Sequence, residues 1–155
     1  MDHSKTAPLL APPEQLDFLD RQTVLLPAPI TVLEAWNRIR SQPLPLLDLA
    51  FRIRDAVSAR FGVRRIGGLG TAPSDGVRVG ERLDFFLVEH VAPDLLVLTE
   101  RDRHLDVMTC ISTQGAELTI TSSVVTHNLF GRAYMVVVGP AHRLIVRAML
   151  RRLAA

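Results

Sequence analysis

Thr23-Val24-Leu25-Leu26-Pro27-Ala28-Pro29-Ile30-Thr31-Val32-Leu33-Glu34-Ala35-Trp36 changes backbone period within one short stretch. The opening residues are β-branched or apolar and suit a strand, which Pro27 and Pro29 end because proline has no amide hydrogen for a ladder. Thr31, three residues ahead of Glu34, forms a capping-box pattern, with Ile30 placed to pack back on the first turn. The helix so started carries Val32, Leu33, Ala35, Trp36 and Ile39, and it ends before Pro43. A strand, a proline turn and a helix therefore open the fold.

Toward the C-terminus a second short helix is predicted after Pro45. Its apolar residues Leu46, Ala50, Ile53, Val57 and Phe61 recur at helical spacing, and Gly62 supplies the cap. From Val63 the period shortens to that of strands. Gly67-Gly68-Leu69-Gly70 and Pro73-Ser74-Asp75-Gly76 are turn chemistry, and residues 83–88, 95–99, 105–112 and 118–126 are β-rich. The short breaks between them, at Ala92-Pro93-Asp94, Arg101-Asp102 and Gln114-Gly115, predict an antiparallel meander. Asn128 can cap a final helix running through Gly131, Tyr134, Val138, Ile145 and Met149 to Leu153, with a kink or local break at Pro140.

Before the first strand, residues 1–15 hold Pro8, Pro12 and Pro13 and no continuous apolar run, which predicts a flexible arm ahead of one domain over 16–155. A chain of 155 residues, 48% hydrophobic and 22% charged, suits a single globular core. The uncharged apolar stretch 133–141 is interrupted by Gly139 and Pro140 and falls far short of the ~20 residues of a spanning helix, so no membrane span is expected. Cys110 is the only cysteine, which excludes an intramolecular disulfide and a cysteine-based zinc site and suits a reducing, cytoplasmic setting. The net charge of +2 is small, and no nucleic-acid partner is expected from it.

The element order, with residues 24–36, with Arg103-His104-Leu105-Asp106, and with the stretch from His127-Asn128-Leu129-Phe130-Gly131 through Pro140-Ala141-His142-Arg143, resembles the helix-grip superfamily of START and polyketide-cyclase-like proteins, SRPBCC. Within it the chain is similar to a bacterial branch of unknown function. The resemblance covers nearly everything after residue 15. It implies an α+β fold: a curved antiparallel sheet wrapped around a long C-terminal helix, with two short helices after the first strand. It also implies an apolar cavity between sheet and helix. Superfamily membership fixes a fold better than an activity.

Several constellations carry possible chemistry. Asp102, His104 and Asp106 alternate along one strand and share a face opposite Arg103, Leu105, Val107, Thr109 and Ile111. Burial of the Leu105 face leaves them solvated. The opposite register turns His104 and Asp106 into the cavity, where the carboxylate could orient the imidazole for acid or base work. The glycine run at 67–70 lacks the further glycine of a dinucleotide fingerprint, Pro73 standing in its place. Ser122 and Ser123 lack the strand-turn-helix context of a nucleophilic serine. Arg143, Arg147 and Arg151 follow one another at four-residue spacing on the final helix and offer a solvated face, a partner surface or a peripheral contact with anionic lipid.

Three functional expectations follow. The first is a cavity for a hydrophobic small molecule or lipid-like metabolite, lined by Trp36, Phe51, Phe85, Leu118, Ile120, Tyr134 and Val138. The second is an enzyme of cyclase, dehydratase or isomerase type using His104 and Asp106 as catalytic acid and base. The third is a protein-interaction or structural domain with a closed core. None of them calls for a metal or a cofactor, and no residue pattern bears on oligomeric state.

Overall fold

The structure is a computed structural model that describes residues 7–41, 52, 55, 76–83 and 86–155. A single 3-10 turn, Pro13–Gln15, precedes β1 (Phe18–Leu25) and α1 (Val32–Ser41). β2 (Arg82–Leu83), β3 (Phe86–Ala92), β4 (Leu95–Arg101), β5 (Leu105–Gln114), β6 (Glu117–Thr126) and α2 (Leu129–Ala154) follow. The strands form one curved antiparallel sheet in the order β1-β6-β5-β4-β3-β2, so the chain is α+β and helix-grip-like, as its element order predicts. Of the second helix expected over 46–61, only Arg52 and Asp55 are described, both helical; the rest, like Gly67-Gly68-Leu69-Gly70, Phe51 and Phe85, lies outside the described residues.

Local chemistry explains the connections. Thr31 Oγ1 accepts the Glu34 amide at 3.1 Å and starts α1, whose Val32, Ala35, Trp36 and Ile39 are buried. Gly115, at φ 60°, makes the hairpin between β5 and β6. Asp102 Oδ1 accepts the amides of His104 at 2.7 Å and Leu105 at 2.9 Å, which turns the chain from β4 into β5. Asn128 Oδ1 accepts the Gly131 amide at 2.9 Å and caps α2.

Three expectations are corrected. β1 begins at Phe18, ahead of Thr23, because β6 supplies a partner for every residue from Phe18↔Val124 to Leu25↔Glu117. The single strand expected at 83–88 is two, with Leu83 paired to Phe86. α2 runs unbroken through Pro140. The hydrogen bond that Pro140 cannot donate would end on the Val136 carbonyl, and Val136 is on the solvent side, where water can take its place.

Cross-strand pairing divides the sheet into two faces. Leu96, Ile111 and Ile120 form one row across β4, β5 and β6 on the face that meets the helices, and Val88, Leu98 and Leu118 lie on the same face. These residues join Val32, Ala35 and Trp36 of α1 and Val146, Leu150 and Leu153 of α2 in the main core. Val97, Met108 and Cys110 occupy the other face and pack with Ala7, with Leu10 at their margin. Residues 7–10 therefore lie against the sheet, within the 1–15 stretch expected to be a flexible arm. Leu10 donates its amide to Ser123 Oγ at 3.2 Å, and the Cys110 thiol lies 3.3 Å from the Pro8 carbonyl. Burial, opposed by Arg21, pushes the Cys110 pKa up to about 12, so the thiol stays neutral and packs as an apolar group.

Candidate functional site

A polar row crosses the middle of the helix-facing side of the sheet. Asp20, Ser122 and Thr109 are direct neighbours across β1, β6 and β5, and Thr109 Oγ1 lies 3.3 Å from Ser122 Oγ. Ser122 is buried, and Leu98 continues the row on β4. Alternation with Ile111 and Ile120 is the sequence signal for this band, a weak one because hydroxyls on a buried face look like ordinary strand residues.

Trp36 sits beside that face, its ring edge-on to Phe86 with centroids 6.0 Å apart. It is 5% exposed, and its indole Nε1 has no hydrogen-bond partner. A buried N–H in that state costs about 1–3 kcal/mol relative to a paired one, and buried indoles ordinarily find an acceptor. Of the residues expected to line a cavity, Trp36, Leu118 and Ile120 are brought into one core. Tyr134 and Val138 are half-buried on α2, and Tyr134 stacks on Phe130 at 6.4 Å.

His104 is 8% exposed and lies at the start of α2, with its ring 4.4 Å from that of Phe130. Its Nδ1 faces the Asn128 amide, 2.9 Å from Nδ2 and 3.3 Å from Oδ1, and Arg103 Nε lies 3.4 Å from Nε2. Both ring nitrogens are thus engaged by structural neighbours. Asp106 has different partners: His127 Nε2 at 3.1 Å and Arg101 at 3.4 Å. The structure does not pair His104 with Asp106. The alternation of the two residues failed as a guide because β5 starts at Leu105, which leaves His104 in the turn. The face bearing Asp106 is not simply solvated either, since residues 7–10 cover its Met108 and Cys110 positions. Among the described residues no group of three or more His, Cys, Asp or Glu could hold a metal ion.

Where α2 crosses β1, charged groups meet apolar ones. Arg143 Nε lies 3.7 Å from Asp20 Oδ1, its guanidinium sits 4.9 Å over the Phe18 ring, and it donates to the Leu19 carbonyl at 3.3 Å. Gln22 Nε2 donates to both Asp20 at 2.8 Å and the Arg143 carbonyl at 3.0 Å. Arg143 is therefore tied to β1, whereas Arg147 and Arg151 are exposed.

His142 packs edge-on to Phe18 at 5.7 Å with Nε2 buried and unpartnered. Burial lowers its pKa below 6.5, Asp20 opposes this and Arg143 reinforces it. A histidine held neutral in the fold is protonated first in the unfolded chain. Stability is unaffected above pH 6.5 and falls as pH drops below it, because the unfolded state then binds the extra proton. His142→Phe is expected to flatten the acid limb of a melting-temperature profile below pH 6.5; an unchanged slope would place the titrating group elsewhere.

A family model described as a protein of unknown function, DUF2867, matches residues 13–149, and the chain belongs to that family. No curated protein and no solved structure matches it.

Proposed function

We propose that this member of the DUF2867 family is a binding module that encloses an apolar small molecule between the sheet, α1 and α2, with the Trp36 indole donating to one acceptor atom of the ligand. The single observation that carries the reading is the buried Trp36 N–H without a partner. The sheet face that shares its core agrees: apolar residues from β4, β5 and β6 with a polar band at Ser122 and Thr109 farther along that face are the composition of sites that bury a hydrophobic ligand and orient it by a few polar contacts. Kinship with the SRPBCC superfamily is part of the proposal and rests on the shared element order and on the residues at 24–36 and 127–143. The ligand class is a lipid-like or aromatic metabolite with a carbonyl or carboxylate oxygen.

The cyclase, dehydratase or isomerase alternative requires His104 and Asp106 to act on one molecule. With the imidazole held at Asn128 and the carboxylate at His127, no observation favours it.

Trp36 is the only tryptophan, so its fluorescence reports on this site alone. A fatty acid or aromatic ketone is expected to shift the Trp36 emission and to raise the melting temperature. Saturation at a hundredfold excess over Kd stabilises by about 2.7 kcal/mol. The matching hydrocarbon without the oxygen should bind about tenfold more weakly, a difference that Trp36→Phe abolishes in thermal-shift titrations. Native mass spectrometry of the purified protein identifies any resident molecule. A protein that emerges empty and responds to no oxygenated apolar compound would sink the reading.

A further inference from the structure

α2 is apolar on two sides, and the sheet accounts for only one of them. Its inner side, including Gly139, Ile145, Val146, Leu150 and Leu153, is buried. On its outer side Leu129, Ala133, Val136, Val137, Pro140 and Leu144 recur at spacings of four, three, one, three and four, which lines them along a single face. Leu129 is 80% exposed, Val136 75%, Val137 72% and Leu144 59%. Isolated exposed hydrophobics are ordinary on a soluble surface, but a continuous stripe over some four helical turns is not. By length and composition α2 could even cross a membrane, against the expectation from its glycine and proline, yet only 28% of its most apolar window is buried.

The same face ends in charge. Arg147 and Arg151 continue the stripe three and seven residues beyond Leu144, both exposed. Counting Arg132, Arg143 and Arg152, every ionised side chain on α2 is an arginine, and it has no Asp or Glu. A second copy laid on this helix would offer Arg147 and Arg151 no α2 carboxylate in either orientation, only arginines when parallel and the Leu129 end when antiparallel. Pairing through the neighbouring free edge of β1 is also discouraged, because Arg143 already occupies the Leu19 carbonyl. Hydrocarbon beside the valines and leucines and negative charge beside Arg147 and Arg151 are supplied together by an anionic lipid bilayer.

We propose that the outer face of α2 is a docking surface for an anionic bilayer: Leu129, Val136, Val137 and Leu144 enter the interface and Arg147 and Arg151 meet the headgroups. This face is opposite the one that packs on the sheet, so the inference stands independently of the Trp36 reading.

Flotation of the full chain with mixed phosphatidylglycerol–phosphatidylcholine vesicles tests it, with pure phosphatidylcholine vesicles alongside. The protein is expected to float with the mixed vesicles, less so as salt rises, and weakly with the neutral ones. Arg147→Glu/Arg151→Glu should weaken binding by at least about fivefold per arginine. Val136→Asp/Val137→Asp should abolish it, and exposure of all four positions leaves the fold intact, as a circular dichroism melt will register. Absence of the parent protein from the mixed-vesicle fraction overturns the proposal. So does equal binding by the arginine variant, which does not depend on how the valine variant folds. A concentration-dependent dimer that Val136→Asp/Val137→Asp dissolves would give the face to a second copy and likewise overturn it.

Discussion

Ile111→Ala is expected to lower the free energy of unfolding by about 2–5 kcal/mol, and the melting temperature by roughly 10 °C, the larger figures being those of a buried β-branched side chain that cannot be replaced by collapse. Ile111 is 1% exposed on β5, near the centre of the sheet, with Leu96 of β4 and Ile120 of β6 directly beside it on the same face. Those neighbours are fixed by backbone pairing on both sides, so the void left by the missing carbons stays largely open. Against a total stability of about 5–15 kcal/mol for a domain, the loss is a large fraction. Ile111→Val serves as the graded control, at about 0.5–1.5 kcal/mol. Urea denaturation of the three proteins decides the matter. If alanine cost no more than valine, one side of Ile111 would border open space within the core it shares with Trp36.

The same row shows why so much of the architecture can be read from the residues. Leu118, Ile120, Ser122 and Val124 share one face of β6 because strand side chains alternate, and the pairing realises the period the residues display. Thr31 and Asn128 start helices through bonds that each residue makes within its own turn, so local chemistry predicts them. What escaped prediction depends on distant partners. Phe18-Leu19-Asp20-Arg21-Gln22 has no strong strand preference, yet β6 holds it in the sheet. The docking of residues 7–10 hangs on Ser123 and Cys110, more than a hundred residues away. The candidate residues divide in the same way. The burial of Trp36, Leu118 and Ile120 is legible because they are large and apolar, whereas the Asn128–His104 and His127–Asp106 pairs arise only when the β4–β5 turn is brought against the start of α2. Spacing along one strand could not distinguish that arrangement from a His104–Asp106 pair.

That junction yields a prediction whose sign is unusual. Replacing glycine by alanine inside a helix ordinarily stabilises by about 0.5–1 kcal/mol, since alanine loses less backbone freedom on folding. Gly131→Ala is expected to do the opposite and destabilise by about 1–3 kcal/mol. A Cβ at this position would run into the His104 carbonyl oxygen and approach Thr126 Cβ at 3.2 Å. The carbonyl cannot swing aside cheaply, because it accepts the His127 amide at 2.8 Å. Relief therefore requires the first turn of α2 to move off β6, which loosens both the Asn128 cap and the Phe130 ring over His104. Gly139 offers the contrast within the same helix. A Cβ there meets Phe18 ring atoms at 3.0 and 3.2 Å, and an aromatic side chain can give a few tenths of an ångström where a bonded backbone carbonyl cannot. Gly139→Ala should accordingly cost less than Gly131→Ala in parallel urea titrations. A stabilised Gly131→Ala protein would mean that α2 does not start against the β4–β5 turn, and the buried placement of His104 would fall with it.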